Sequence, residues 1–372
     1  MERERLRVLF ALPGFHGVDR GAEVALLAVA QELAELGVHV SVFGSGSERA
    51  GCKYDFKHVG SIPRTYFESM PSIPSLRNDT AYEDLTFSIS LLRYFVPTSF
   101  DITVTCNYPF TNWVLRRPVL SGGRPRHVFV TQNGDWPAIS KTREYRFFGC
   151  DGLVCTNPEF FQRNRTRWNS VLIPNGVDTT RFRAGPSLQS KFKLPEGVPI
   201  ILMVSALIES KRVLEGIEAA ARIDGAHLVV AGSGPLRDAV MACANRLMPG
   251  RFSLVSVPPE DMPGLYNSAN AFLHLSLEES FGNVYVEAMA TGLPIVAHDS
   301  ERVRWIVGAE EQLVDSNHSD AITAALRIAI QMPRRSSASV EEKISRFTWR
   351  NIAKSYLAFF ESSVLGHRGE GE

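Results

Sequence analysis

The stretch from Ser276 to Ala297 reads SLEESFGNVYVEAMATGLPIVA. Its order is a loop carrying Glu279, a glycine at 282, a helical pattern, and then Gly292 and Pro294 closing that helix before an apolar strand. A helix that starts in this way sits at the C-terminal edge of a parallel sheet, the edge at which α/β folds bind ligands. The N–H groups of Gly282, Asn283 and Val284 lack partners inside such a helix, and with about half a positive charge from the macrodipole they suit a diphosphate. Glu287 lies five residues beyond Gly282, about 7 Å further along the axis. That is comparable to the reach from a bound phosphate to the ribose of the same nucleotide, and a carboxylate can accept two hydroxyl hydrogen bonds. Taken alone, two acids near a helix start are more simply read as surface groups.

Outward from this stretch the same alternation repeats. Val8 to Leu12 reads as a strand, Pro13 to Gly21 as a Gly-rich loop, Ala22 to Leu36 as a helix with Gly37 as its C-cap, and Val38 to Phe43 as the next strand. Further strands are expected at Ile102 to Cys106, His127 to Thr131, Leu153 to Thr156 and Val171 to Ile173. A second set follows near Ile200 to Ser205, His227 to Ala231, Phe252 to Val257, Ala271 to Leu275 and Pro294 to Ala297. Gly44 to Phe100 is rich in Ser, Pro and aromatics and shows no clear period, which marks it as a candidate binding insertion. The turn chemistry of IPNGVDTTRF, Ile173 to Phe182, sets the domain boundary. The expected architecture is α/β, with two Rossmann-like doubly wound parallel-sheet domains facing across a cleft.

A chain of 372 residues is long enough for two domains at about 150 residues each. Lys plus Arg and Asp plus Glu both number 40, so no overall field recruits nucleic acid. No run approaches the roughly 20 apolar residues of a membrane span, and the charged start is no signal peptide, so a cytoplasmic protein is expected. Five scattered cysteines read as reduced thiols; Cys150 and Cys155 have no histidine cluster beside them to make a zinc site.

Several strings share a resemblance. Glu279 to Glu287, followed by AMATGLPIVA, is similar to the Glu-(seven residues)-Glu motif of the retaining GT-B glycosyltransferases, family 4 (glycosyltransferase group 1). IPNGVDTTRF resembles that family's interdomain signature, VVAGSGPLR (Val229 to Arg237) its Gly-rich loop, LYNSANAFLHLS (Leu265 to Ser276) its approach to the Glu loop, and FTWRNIAKSYLAFF (Phe347 to Phe360) its closing helix. The resemblance implies that Glu287 holds the ribose and that Glu279 sits beside the transferred sugar. Phe281, Gly282, Asn283 and Val284 would offer backbone donors, with Gly232, Gly234 and Ser205 also at the donor. Lys211 would neutralise the diphosphate. Catalysis is assigned to Glu279, Lys211 and Gln132.

The sequence departs from the family at two places. Ser205-Ala206-Leu207 stands where Gly-Arg-Leu is usual, so Arg212 becomes the candidate replacement for the missing arginine. Gln132 stands where a histidine is usual, and glutamine can hydrogen-bond a sugar hydroxyl but takes up no proton. In the family's chemistry the departing phosphate is thought to deprotonate the acceptor, so no side-chain base is required. The first domain resembles the family less, with Asp19-Arg20-Gly21-Ala22-Glu23 in place of a Gly-Gly-x-Glu loop. Gly21, His16 and Asp135 are the candidates for the acceptor or phosphate loop, with Glu23 either capping locally or pairing with Arg20; His298 and Asp299 end a strand at the ligand edge. The loop lacks G-x-G-x-x-G, which weakens a nicotinamide-dinucleotide reading.

The resulting expectation is a retaining, metal-independent glycosyltransferase that moves a hexose-type sugar from a nucleoside-diphosphate donor to a hydroxyl acceptor, with no cofactor and no nucleic acid partner. No Asp-x-Asp string occurs to hold a metal. Residues 1–178 would bind acceptor, 179–345 donor, 346–365 would form a helix packing back on the first domain, and 366–372 a disordered tail. Ser61 to Arg93 is the expected acceptor region. The basic run Arg163 to Arg167 offers weak membrane-surface association against the simpler reading of a solvated helix face. The alternative is a catalytically weakened sugar-nucleotide-binding or regulatory partner; a phosphorylase or epimerase on the same scaffold is a further rival.

Overall fold

Each apolar, β-branched run becomes one strand of a parallel sheet in the computed structural model, which describes residues 5–119, 123–139 and 143–366. The expected tail, from 367 on, lies outside the described residues. The chain divides into two units. The first comprises 1–175 and 349–372, the second 176–348, so the division falls three residues before the expected boundary at 178 and the return at 349 rather than 346.

The first unit holds a seven-stranded sheet made of β1 (Arg7–Ala11), β2 (His39–Gly44), β3 (Asp55–His58), β4 (Ile102–Thr105), β5 (Arg126–Val130), β6 (Gly152–Cys155) and β7 (Ser170–Leu172). Their order is β3-β2-β1-β4-β5-β6-β7, every neighbour parallel. The chain runs outward from β1 in one direction and then returns to β4 on its other side. The switch point therefore lies between the loops that follow β1 and β4, where open parallel sheets bind ligands. One layer of core joins Val8, Phe10 and Val104 of the sheet to Leu26, Val29 and Leu33 of the helix Gly21–Glu35. Ile352, Ala353 and Tyr356 of the helix Trp349–Phe359 complete the same cluster.

The stretch without a clear period contains β3 and the helix Asp79–Tyr94. β3 is an edge strand with mostly exposed side chains, so no apolar alternation marks it. The helix is capped by Asn78, and it buries Glu83, Asp84 and Ser88 beside Phe87 and Leu91, which blurs its hydrophobic period.

The second unit repeats the plan with β8 (Ile200–Val204), β9 (His227–Ala231), β10 (Phe252–Val255), β11 (Ala271–His274), β12 (Ile295–His298) and β13 (Gln312–Val314). The order β10-β9-β8-β11-β12-β13 is again parallel throughout, with the switch between β8 and β11. The loops after those two strands carry Lys211 and Glu279. The segments entering and leaving this unit run side by side, with the Val177 N–H donating to the Phe347 carbonyl at 2.7 Å.

Candidate functional site

At the switch point of the second sheet, the loop after β8 ends in a short turn, Glu209–Lys211, and the loop after β11 brings Glu279 to it. Lys211 Nζ donates to Glu279 Oε1. His274, the last residue of β11, shares that oxygen through Nε2 at 2.9 Å. Burial disfavours the Glu279 carboxylate, but His274 and Lys211 outweigh it and hold the acid down at about 2. The loop is pinned from behind by buried Arg302, whose guanidinium donates to the carbonyls of Glu279 at 2.7 Å and Leu277 at 3.3 Å.

The helix Asn283–Ala290 begins beside this cluster. Gly282 precedes it with φ +98°, and no side chain caps it. A Cβ at Gly282 would stand 2.7 Å from the Tyr285 ring, so both the dihedral and the packing call for glycine. Glu287 follows on the same helix, where burial raises its pKa and the Tyr266 hydroxyl donates to Oε2 at 2.8 Å. Tyr266 is fully buried, which fixes the rotamer of the acid it serves. Phe281 points inward instead, packed on Trp305 and Phe347, so only its backbone is left to meet a ligand.

Arg212 adopts φ +55° and turns its guanidinium to Glu215, Ser316 and Asn317 at 2.9–3.0 Å. His298 Nδ1 bonds the same Ser316 hydroxyl at 2.9 Å, while Asp299 pairs with Arg304. Gly232 and Gly234 lie backbone to backbone on Ser205 to Leu207; an added Cβ would reach the Ser205 oxygen at 1.8 Å and the Leu207 oxygen at 2.6 Å. Their visible work is to let these two loops stack, with Leu207 N–H donating to the Ser233 carbonyl at 2.8 Å.

In the first unit a cavity of about 330 Å³ opens at the corresponding switch point, lined by Gly14, Arg20, Gly21, Glu23, Asn107 and Tyr108 among others. Arg20 pairs with Glu23 at 2.8 Å, and the pair lies against Gly14, where an added Cβ would stand 2.1 Å from Glu23 Oε1 and displace it. Among the described residues no group of three or more His, Cys, Asp or Glu side chains is gathered to hold a metal ion. All five cysteines are free thiols.

Two family patterns cover most of the chain: that described as glycosyl transferases group 1 matches residues 186–346, and that described as glycosyltransferase family 4 matches 20–181. The chain belongs to the group 1 glycosyltransferases. Among the relatives of this group 1 glycosyltransferase is the lipopolysaccharide core biosynthesis glycosyltransferase LpsE of Rhizobium meliloti (strain 1021). The two are 25% identical over 362 residues, 94% of this chain and 98% of that one. Sucrose-phosphate synthase from Thermosynechococcus elongatus superimposes with a TM-score of 0.76 at 19% identity, covering 96% of this chain and 99% of that one. Anabaena HepE in complex with UDP and glucose gives 0.69 at 16% identity, covering 96% and 100%. The fold is GT-B.

Three residues expected in the site of this group 1 glycosyltransferase have protein partners of their own. Gln132 exchanges amide hydrogen bonds with Asn175, which donates back at 3.0 Å. Asp135 accepts from Asn164 at 2.7 Å and pairs with Arg163, the first arginine of the basic run, at 3.2 Å. His16 is buried rather than solvated: it stacks on Phe56 at 4.1 Å and bonds the Tyr54 hydroxyl at 2.7 Å and the Ser47 carbonyl at 3.0 Å.

The sequence reading missed His274, Tyr266 and Arg302. His274 had a signal: an imidazole ending an apolar strand five residues before Glu279 is out of character for a core position. Tyr266 and Arg302 had none, since their partners are a side chain 21 residues away and backbone carbonyls 23 and 25 residues away.

Proposed function

We propose that this glycosyltransferase moves a hexose-type sugar from a nucleoside-diphosphate donor to a hydroxyl acceptor with retention at the anomeric carbon and without a metal ion. The observation that carries the reading is the meeting of Lys211, His274 and Glu279 at the uncapped start of the helix Asn283–Ala290, with Glu287 further along the same helix. Lys211 has three N–H donors and gives one to Glu279, so two remain for a diphosphate, and the helix start adds backbone donors and positive potential. In the reaction the bond from the anomeric carbon to the diphosphate oxygen breaks, the acceptor oxygen bonds that carbon, and the acceptor proton passes to the departing phosphate. Positive charge beside the departing oxygen lowers the barrier because negative charge accumulates there. Glu279, ionised down to about pH 2, accepts hydrogen bonds from sugar hydroxyls. Glu287, held in place by the Tyr266 hydroxyl, takes the ribose. LpsE acts in lipopolysaccharide core biosynthesis, and an acceptor of the same kind, a glycan growing on a lipid, fits this reading.

The test is donor turnover and nucleotide affinity in two variants. Glu287→Ala is expected to weaken nucleoside-diphosphate binding about tenfold or more, the loss of a two-pronged hydrogen bond to a charged group. Glu279→Ala is expected to leave binding within a few fold while lowering release of nucleoside diphosphate from the sugar nucleotide by about a hundredfold. Parent-like behaviour of both variants overturns the site. The engagement of Gln132 by Asn175 favours a second reading, a sugar-nucleotide binder; a purified protein that binds donor and never releases nucleoside diphosphate, with or without acceptor, would establish it.

A further inference from the structure

A second cavity, of about 530 Å³, is lined entirely by residues of the second unit. It is separate from the proposed donor site, since Lys211, Glu279, Gly282 and Glu287 take no part in its wall. Phe182, Ala290, Val340 and Ile344 give that wall its apolar surface, and Arg183, Arg335 and Glu341 give it charge. Arg335 is already paired with Glu311 at 2.6 Å. Arg183 and Glu341 are exposed and opposite in sign, yet among the described residues neither side chain forms an ion pair or hydrogen bond, with the other or with a third group. Two unjoined opposite charges beside an apolar surface form the pattern that a zwitterion completes. A lone anion would meet Arg183 but also the Glu341 carboxylate, and a lone cation would meet the reverse; only a ligand with both charges gains at each. The volume falls within the roughly 300–1,000 Å³ of small-ligand sites.

The wall also connects to Glu287 by two routes. The Phe182 ring meets the Tyr266 ring edge-on at 5.9 Å, and the Tyr266 hydroxyl holds Glu287 at 2.8 Å. Ala290 and Thr291 at the wall close the helix that carries Glu287, and the Arg334 guanidinium ties the Thr291 and Tyr266 carbonyls together at 2.9 Å each. A ligand that fixes Phe182 and the end of that helix therefore acts on the position of the acid.

We infer that this cavity is a regulatory site for a zwitterion with an apolar side chain, of the amino-acid class, with Arg183 on the carboxylate, Glu341 on the ammonium and Phe182, Val340 and Ile344 against the side chain. The binding stands on the cavity alone; only its regulatory role rests on the transferase reading, in which Glu287 holds the donor.

Isothermal titration of the full chain with L-phenylalanine, 3-phenylpropionate and phenethylamine tests it, the last two lacking the ammonium and the carboxylate in turn. Phenylalanine is expected to bind about fivefold or more tighter than either analogue. Arg183→Gln is expected to bring phenylalanine down to the affinity of phenethylamine and leave phenethylamine unchanged; Glu341→Gln is expected to do the same with respect to 3-phenylpropionate. Both side chains are exposed, so neither substitution removes a core contact. No binding of phenylalanine, equal affinity for one of the singly charged analogues, or parent-like phenylalanine affinity in either variant overturns the site. UDP and GDP titrated with and without saturating phenylalanine test the regulation. A change of about threefold or more is expected for the nucleotide that binds, with the same factor on phenylalanine when that nucleotide is present. An unchanged affinity overturns the regulatory role. If a nucleotide binds normally and phenylalanine does not, the cavity proposal is refuted and the transferase reading stands; if neither nucleotide binds the parent, the transferase reading falls and the phenylalanine titrations still decide the cavity.

Discussion

Glu279 is the residue on which two loops converge. Its carboxyl is ordinarily half-protonated near pH 4.5 and is held near 2 in the folded chain, so the native state favours the ionised form. The stabilisation is fully present above about pH 4.5 and is lost as pH falls from there through about 2, amounting to on the order of 3 kcal/mol. Glu279→Gln is therefore expected to narrow its stability gap to the parent as unfolding is measured at successively lower pH across that window. A gap that stays constant would mean that the pairing with Lys211 and His274 carries no weight in solution. The same residue shows what a sequence can tell. The spacing from Gly282 to Glu287 on the helix that follows it was readable because helix geometry converts five residues into a length. The partner of Glu279, His274, was not, because only the packing of β11 beside β8 brings the imidazole and the Lys211 loop to one oxygen. Gln132 illustrates the opposite failure: a glutamine after β5 looks available until Asn175, 43 residues on, takes up its amide.

At the scale of elements, the strands were legible within a residue or two because buried parallel strands are continuous apolar runs. β3, β13 and the helix Asp79–Tyr94 were not, the first being an exposed edge, the second a three-residue, half-buried edge and the third burying polar groups. One of those groups, Asp84, is wholly buried and caps the helix Phe110–Leu115 by accepting from Phe110 N–H at 2.8 Å and Thr111 N–H at 3.2 Å. The helix Asn283–Ala290 depends on its leading glycine, and Gly282→Ala would force an L-residue to φ +98° against the Tyr285 ring. A loss of about 1–3 kcal/mol is expected, read as a lower midpoint in denaturant, together with weakened nucleotide binding; an unshifted midpoint would refute the packing argument. β4 and β5 are joined by a second titrating device. His127 is buried between them, bonding Thr103 Oγ1 at 2.9 Å through Nδ1, while Asn112 Nδ2–H donates to Nε2 at 3.1 Å. Arg116 donates to the Asn112 oxygen at 3.2 Å and so fixes that amide, leaving no acceptor for a second imidazole proton. Burial accordingly lowers the His127 pKa to about 3. Because the unfolded chain takes up a proton near pH 6.5 and the folded chain does not, stability is lost as pH falls from about 6.5 towards 3, by about 2 kcal/mol at pH 5. Thermal unfolding of the parent should show that slope below pH 6.5 and His127→Gln should lack it.

For the whole molecule, the chain leaves its first unit at 175 and comes back at 349. The returning helix fills the first core with Ile352, Ala353, Tyr356, Phe359 and Phe360 against Leu26, Val29, Ala30 and Leu33. Ending the chain after Thr348 would remove the four large buried side chains, Ile352, Tyr356, Phe359 and Phe360, at about 1.5–3 kcal/mol each, more than an ordinary domain's margin of roughly 5–15 kcal/mol can bear at its lower end. Hydrogen exchange is expected to show β1 and β4 unprotected in that truncation while β8, β9 and β11 stay protected; equal protection of both sheets would show that the helix is dispensable. The discontinuity also sets an order of events on the ribosome. Residues 176–348 are a single uninterrupted run and can close as soon as they emerge, whereas the portion made first must wait, its Leu26 and Val29 face open, until the last portion needed to cover it has been translated. The amino-terminal half is thus begun first and finished last, and in that interval it is the natural client of a chaperone.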